Sequence, residues 1–125
     1  MISLTIEIAG DSFHAELNPE LAPDTVQKIV NTLPIETTLN TWGNEFYFGI
    51  PVNHPVENGI ESLRVGDLAF WPPANAFCIF FGLTPMSSNL ENLVPASAVS
   101  PLGTIENPEQ LKKYTDGDSI RIIQA

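Results

Sequence analysis

Hydrophobic and polar residues alternate along most of this chain, and the period of the alternation changes only briefly. Ile2, Leu4, Ile6 and Ile8 alternate with Ser3, Thr5 and Glu7, the period-two pattern of a half-buried strand. Gly10-Asp11 interrupts the pattern and Phe13, Ala15 and Leu17 resume it, which predicts a β-hairpin. After Pro23 the period lengthens. Val26, Ile29, Val30 and Leu33 fall at i, i+3, i+4 and i+7, so they share one face of a helix. Asp24 and Thr25 place an acceptor and a negative charge near its start, and Pro34 ends it. Such a helix is expected to cover an open end of a barrel or one face of a sheet.

Period two then returns. Glu36–Leu39 leads through Thr41-Trp42-Gly43-Asn44 into Glu45–Val52, where Phe46, Phe48 and Ile50 alternate with Glu45, Tyr47 and Gly49. The polar stretch Asn53–Ser62 reads as a loop. Val65–Trp71 and Phe77–Phe81 are two apolar strands joined by a Trp71-Pro72-Pro73 turn. A run as apolar as Phe77–Phe81 must be buried on both faces or line a greasy groove. Strand geometry separates Phe77, Ile79 and Phe81 from Cys78 and Phe80, but it leaves open which set faces inward. Met86–Pro95 is a second loop, and Ala96–Ile105 predicts a strand broken near Pro101 and Gly103. Asn107-Pro108-Glu109 is a cap, a first-turn proline and an acid, opening a short helix to Tyr114. Asp116-Gly117-Asp118 turns into a last strand, Ser119–Gln124. About eight strands with one main and one short helix predict an all-β domain over residues 1–125, a closed barrel with helical plugs.

Composition narrows the functions open to such a domain. The apolar share is 43% and the charged share 16%, and eleven prolines disfavour long helices. Five basic residues against fifteen acidic ones leave a formal charge of −10, which repels phosphate backbones and anionic lipid. Neither nucleic acid nor membrane is therefore an expected partner. The acidity reads as a solubility device, with a basic partner or cationic ligand as the other reading. Cys78 is the sole cysteine and lies in an apolar run, so it is expected to pack as a small hydrophobe. No intrachain disulfide can form, no signal-peptide layout is seen, and no run approaches membrane-spanning length. A cytoplasmic address is expected.

Motifs for covalent or metal chemistry are missing. There is no Gly-x-Ser-x-Gly elbow and no phosphate-binding glycine loop, and no neighbour in sequence activates Cys78. Neither His14 nor His54 has a second ligand at metal spacing, and Asp116 and Asp118 lack the other carboxylates of a calcium loop. No catalytic residue, metal or cofactor is assigned. Glu45 and Glu57 read as surface charges rather than a carboxylate pair. Trp42 and Trp71 either line a ligand groove or plug the barrel ends. Ser87 and Ser97 cap turns or offer hydroxyls to a ligand.

Taken in order, several of these segments resemble the cyclophilin fold. Ala22-Pro23-Asp24-Thr25-Val26 is similar to the start of the first cyclophilin helix, and Phe77–Phe81 followed by Thr84-Pro85 is similar to its Phe-Phe strand and threonine-rich loop. Closer still is a small, mostly prokaryotic group of cyclophilin-like proteins without an assigned function. Its signature resembles Asn40-Thr41-Trp42-Gly43-x-Glu45, Pro51-Val52, Val65-Gly66-Asp67 and Trp71-Pro72-Pro73. It continues through Phe80-Phe81-Gly82-x-Thr84-Pro85-Met86-Ser87 to Pro95-Ala96-Ser97-Ala98-Val99. The resemblance implies a closed eight-stranded barrel capped by helices. Cyclophilin-type prolyl isomerisation also needs an arginine on the strand that here reads Phe46-Tyr47-Phe48-Gly49-Ile50-Pro51-Val52, and this strand has none. The two arginines of the chain, Arg64 and Arg121, lie elsewhere.

The expected function is thus a non-catalytic binding module whose aromatic groove takes a small molecule or a proline-containing, extended peptide. Tyr47, Phe48, His54, Trp71, Phe77, Met86 and Ser97 are the candidate groove residues. One alternative is a peptidyl-prolyl isomerase with a substitute donor, such as His54 or a backbone N–H. The other, by analogy with cyclophilin-like domains in bacterial amide-ring-opening and urea-carboxylate hydrolase assemblies, is an accessory subunit docked on a protein partner.

Overall fold

The computed structural model describes residues 1–125. Its strands are β1 (Ile2–Ile8), β2 (Asp11–Leu17), β3 (Ile35–Thr38), β4 (Asn40–Thr41), β5 (Glu45–Gly49), β6 (Asp67–Trp71), β7 (Ala76–Phe80), β8 (Ser100–Ile105) and β9 (Ser119–Gln124). One α-helix, α1 (Pro23–Thr32), and two 3-10 segments, Pro72–Ala74 and Pro108–Lys113, complete it. The strands form one antiparallel sheet in the order β3-β9-β1-β2-β8-β6-β7-β5-β4. Its two edges, β3 and β4, are separated in sequence by Leu39 alone, so the chain itself carries the sheet round into a nearly closed barrel.

That seam is tied by the turn before β9. Leu39 N–H donates to the Asp118 carbonyl and Gly117 N–H to that of Leu39, each at 2.9 Å. The Asp116 carboxylate accepts from the backbone N–H and the hydroxyl of Thr41 at 2.6 and 2.8 Å. These bonds occupy backbone groups at the seam that would otherwise be free to recruit another strand. There are nine strands where the pattern predicts about eight. The extra one, β4, has two residues, too short to carry a period.

The interior is built by alternation. Leu4, Ile6 and Ile8, Phe13, Ala15 and Leu17, Phe46 and Phe48, Leu68 and Phe70, and Phe77 and Ile79 all point inward, and α1 lays Val26 and Ile29 on them. Phe48 stacks on Phe77 at 5.5 Å between centroids, and Phe46 meets Phe81 at 4.4 Å. The β6–β8 register slips between Leu68, paired with Gly103, and Ala69, paired with Pro101. This bulge is the predicted break in the strand, since proline cannot donate to the ladder. Gly103 is required there, because a Cβ would stand 1.9 Å from the Glu16 carbonyl oxygen.

Two helix starts differ from expectation. No side chain of α1 or its flank caps its N-terminus. The carboxylate of Glu57, from the loop after β5, accepts from Asp24 N–H (3.2 Å), Thr25 N–H (2.8 Å) and the Thr25 hydroxyl (2.7 Å). Glu57 is held in turn by its own N–H, which donates to the buried Ser100 Oγ at 2.9 Å. Asn107 lies in the left-handed region and makes no capping bond, and the short helix it precedes is 3-10.

Candidate functional site

The face of β5, β7 and β6 opposite the barrel interior decides the site. β7 is buried at all five positions. Its Phe77 and Ile79 face the interior with the following Phe81, while Ala76, Cys78 and Phe80 face outward into a second apolar cluster with Leu63, Ala69, Leu93 and Val99. The polar loops after β5 and β7 cover this outer face. They are zipped together by paired backbone bonds, Ile60 with Val99 and Leu63 with Leu93, at 2.9–3.0 Å. Small residues under the cover, Ala69, Ala76 and Cys78, let the loops approach closely.

Larger outward-facing residues sit where the cover ends. On β5, register puts Glu45 opposite Phe80 and Tyr47 opposite Cys78, and on β6 Trp71 stands opposite Ala76. Trp42 comes in from the β4–β5 turn, whose ends Trp42 and Glu45 exchange backbone hydrogen bonds at 2.9 and 3.2 Å. Gly43 makes that turn possible. Its φ is +61°, and a Cβ would lie 2.8 Å from the Leu83 carbonyl oxygen and from Pro85 Cδ. Together with Pro95, Ala96 and Val99 from the covering loop, these side chains line a cleft of about 130 Å³. The Trp71 indole N–H donates to Ser97 Oγ at 2.7 Å, which orients its ring at the cleft wall.

Glu45 is the unusual member. Its residue is 6% exposed, and Oε1 has no hydrogen-bond partner in the protein. Burial pushes its carboxyl up to about 7 from an ordinary 4.5, with the neighbouring Cys78 thiol pulling it slightly back. The Cys78 thiol is itself pushed well above its usual range, first by burial and then by the adjacent Glu45 charge. A thiol of this kind stays protonated and is a poor nucleophile.

The structure gathers some of the candidate groove residues and separates others. Tyr47 and Trp71 line the cleft, and Ser97 reaches it through the Trp71 indole. Phe48 and Phe77 instead fill the barrel interior, each with at most 1% exposure. Alternation already put Phe48 on the face opposite Tyr47. His54 stands at the start of α1, its Nδ1–H donating to the Pro55 carbonyl at 2.8 Å with the Thr25 hydroxyl at 3.3 Å. Met86 is half exposed on the Thr84–Ser87 turn and is absent from the cleft wall. Ser87 Oγ accepts from Thr84 and Val94 N–H, holding that turn. Of the two readings open for Trp42, groove wall or barrel plug, the structure gives the groove wall. Glu45 from the same Asn40–Glu45 motif, which reads in sequence as a surface charge, lines the cleft beside it.

The surface-charge reading of the two glutamates is corrected: Glu57 caps a helix, and Glu45 is buried in the cleft wall. No lysine or arginine lines the cleft. Arg121 on β9 is engaged by Glu36 at 2.9 Å and Glu7 at 3.6 Å, and Arg64 lies exposed before β6. No group of three or more His, Cys, Asp or Glu side chains is placed to hold a metal ion. No helix is long and apolar enough to cross a membrane.

The family model described as cyclophilin-like matches residues 2–123. The solution structure of the hypothetical protein AF2241 from Archaeoglobus fulgidus is similar at 39% identity with a TM-score of 0.82, covering 99% of this chain and 95% of that one. No curated protein matches. With barrel, motif order and both comparisons in agreement, the chain belongs to the cyclophilin-like family.

Proposed function

We propose that this chain is a non-catalytic binding module whose outer-face cleft takes a small molecule or one projecting side chain of an extended peptide. The observation that carries this reading is the cleft wall itself: Trp42, Tyr47 and Trp71 converge on one hollow that contains no cation. Aromatic convergence suits binding, because these rings give large contact area with little conformational entropy to lose. Prolyl isomerisation asks for something else. The amide barrier is about 18–20 kcal/mol, and lowering it takes a cation or donor aimed at the twisting bond. Trp71 N–H is occupied by Ser97, and His54 is engaged at the start of α1.

Size limits the ligand. Drug-sized sites run to about 300–1,000 Å³, whereas a cavity of about 150 Å³ holds a molecule such as benzene. The cleft is of the second kind. Burying roughly 150 Å² of apolar ligand surface at about 25 cal/mol per Å² contributes about 4 kcal/mol, a Kd in the millimolar range. A tighter complex needs contacts beyond the cleft or a strong polar bond inside it.

The test is an NMR titration of labelled protein with a fragment set and a proline-containing peptide, following protein shifts and the peptide's cis–trans exchange together. Shifts at the Trp42 and Trp71 indoles and at Tyr47, with unaccelerated exchange, are the expected result. Accelerated exchange would establish the isomerase alternative. Indole signals that stay fixed with every fragment and peptide would remove the binding reading.

A further inference from the structure

Glu45 poses a question that the apolar reading of the cleft leaves unanswered. A hydrophobic hollow gains nothing from a buried carboxylate, and the strands could have carried a neutral side chain at that position. Its Oε1 is shielded from solvent and unpartnered within the protein, although buried acceptors are nearly always satisfied. Glu45 shares the cleft wall with two indoles and a phenol. Such rings attract a cation lying within about 6 Å of their centroids. A desolvated carboxylate adjoining three aromatic rings is complementary to one kind of group, a compact cation that also donates a hydrogen bond.

We propose that the cleft binds the head group of a small organic amine, protonated and retaining at least one N–H, with that N–H donated to the Glu45 carboxylate and its alkyl groups against Trp42, Tyr47 and Trp71. The inference rests on the binding reading above and names its ligand class. Three further observations agree with it. The net charge of −10 draws cations toward the protein. The wall holds no lysine or arginine that would compete for Glu45. The volume of about 130 Å³ suits a head group of a few heavy atoms. Two roomier hollows, of about 310 and 260 Å³, share no lining residue with the cleft and have no aromatic wall. Neither hollow continues the cleft to hold the rest of a longer chain, so the proposed occupant is a free small amine.

Charge state supports the same assignment. Around Glu45 the titratable groups are Tyr47 on β5 and Cys78 on β7, while β6 and the covering loop contribute only Trp71, Pro95, Ala96 and Val99. A cation entering this environment draws the Glu45 proton off. Amine affinity therefore rises as pH passes through about 7 and levels above it.

Three molecules of nearly equal shape isolate the inference: protonated N,N-dimethylethanolamine, choline, and neutral 3,3-dimethylbutan-1-ol. At about pH 8 the tertiary amine is still charged, as alkylammonium pKa values lie near 10. Tryptophan fluorescence and indole shifts should report binding in the order amine, choline, alcohol. A charge-assisted hydrogen bond separates the first from the last by on the order of tenfold to hundredfold. Glu45→Gln should abolish the preference for the amine over choline and remove the pH dependence, while its NMR spectrum shows an intact fold. What remains is the ring attraction, which favours both cations over the alcohol. Equal binding of amine and alcohol to the wild type would overturn the cationic assignment and leave the binding reading standing. Choline binding more tightly than the amine would overturn the hydrogen bond to Glu45. A dimethyl-lysine peptide binding much more tightly than the free amine would overturn the small-molecule assignment in favour of a protein partner. If none of the three molecules and no fragment moves the indole signals, the binding reading falls as well.

Discussion

Two glutamates of this chain look alike in sequence and have opposite fates. Glu57 sits in a polar loop and offers its carboxylate to the free N–H groups that open α1, receiving three hydrogen bonds. Those bonds favour its charged form, and its carboxyl lies below the ordinary range even though burial pushes the other way. Glu45 lies on a strand whose neighbours are apolar. It finds no donor for Oε1, and burial raises its carboxyl to about 7. A carboxylate placed where backbone donors are waiting holds the fold together. One placed where only aromatic rings are waiting costs stability, and proteins tend to tolerate that cost where a ligand is met.

The largest test of this contrast is the stability of Glu45→Gln. The folded-state pKa of Glu45 is raised, so the folded protein binds more protons than the unfolded chain between 4.5 and about 7. Stability therefore falls as pH rises through that window and stays low above it. The gap corresponds to about 3 kcal/mol. Urea unfolding should find Glu45→Gln more stable than wild type at about pH 8 by up to this amount, with the advantage fading toward pH 4. Equal stability at both ends would mean that Glu45 is solvated after all.

Glu57 should respond in the opposite sense. Glu57→Ala removes the cap from α1 and is expected to cost about 1–2 kcal/mol, with Glu57→Gln losing less because one acceptor remains. Its contribution is present above the unfolded carboxyl range and is lost as pH falls through its lowered folded pKa. Hydrogen exchange should show the loss concentrated in the first turn of α1. Uniform loss across the barrel would contradict a capping role.

Smaller effects sharpen the comparison further. The two carboxylates share no hydrogen-bond partner, so the double variant Glu45→Gln/Glu57→Ala should be additive within about 0.5 kcal/mol. Larger coupling would show that strain passes between them through Val99, which lines the cleft, and Ser100, which anchors Glu57. At the end of the scale, the Cys78 thiol should not react with a disulfide reagent at about pH 8 until the protein unfolds. Prompt reaction of the native protein would mean that the loops covering the outer apolar cluster open to solvent.

How much of this was legible beforehand depended on the range of the interaction. The hairpin, α1, the β6–β7 pair and the last strand could be read because local periodicity encodes them. The order of Trp42, Gly43, Glu45, Trp71 and the Thr84–Ser87 segment was enough to suggest the family. Strand alternation also grouped Glu45 with Tyr47 on one face of β5, and the same rule excluded Phe48 from that face. Phe48 and Phe77 have the aromatic character of groove residues, but their parity along the strands places them in the barrel interior.

What the sequence determined by itself, then, was which residues share a face and where elements start and stop, since both follow from backbone geometry over a few residues. It could not say which face of β7 looks into the barrel, because Phe77–Phe81 is apolar on both sides. Nor could it assign Glu57 to α1 across 32 residues, or leave Glu45 without a partner. Those outcomes depend on closing the sheet and laying two loops over its outer side. Desolvation and long-range hydrogen bonds exist only once distant segments meet, and the tertiary structure alone decides where they do.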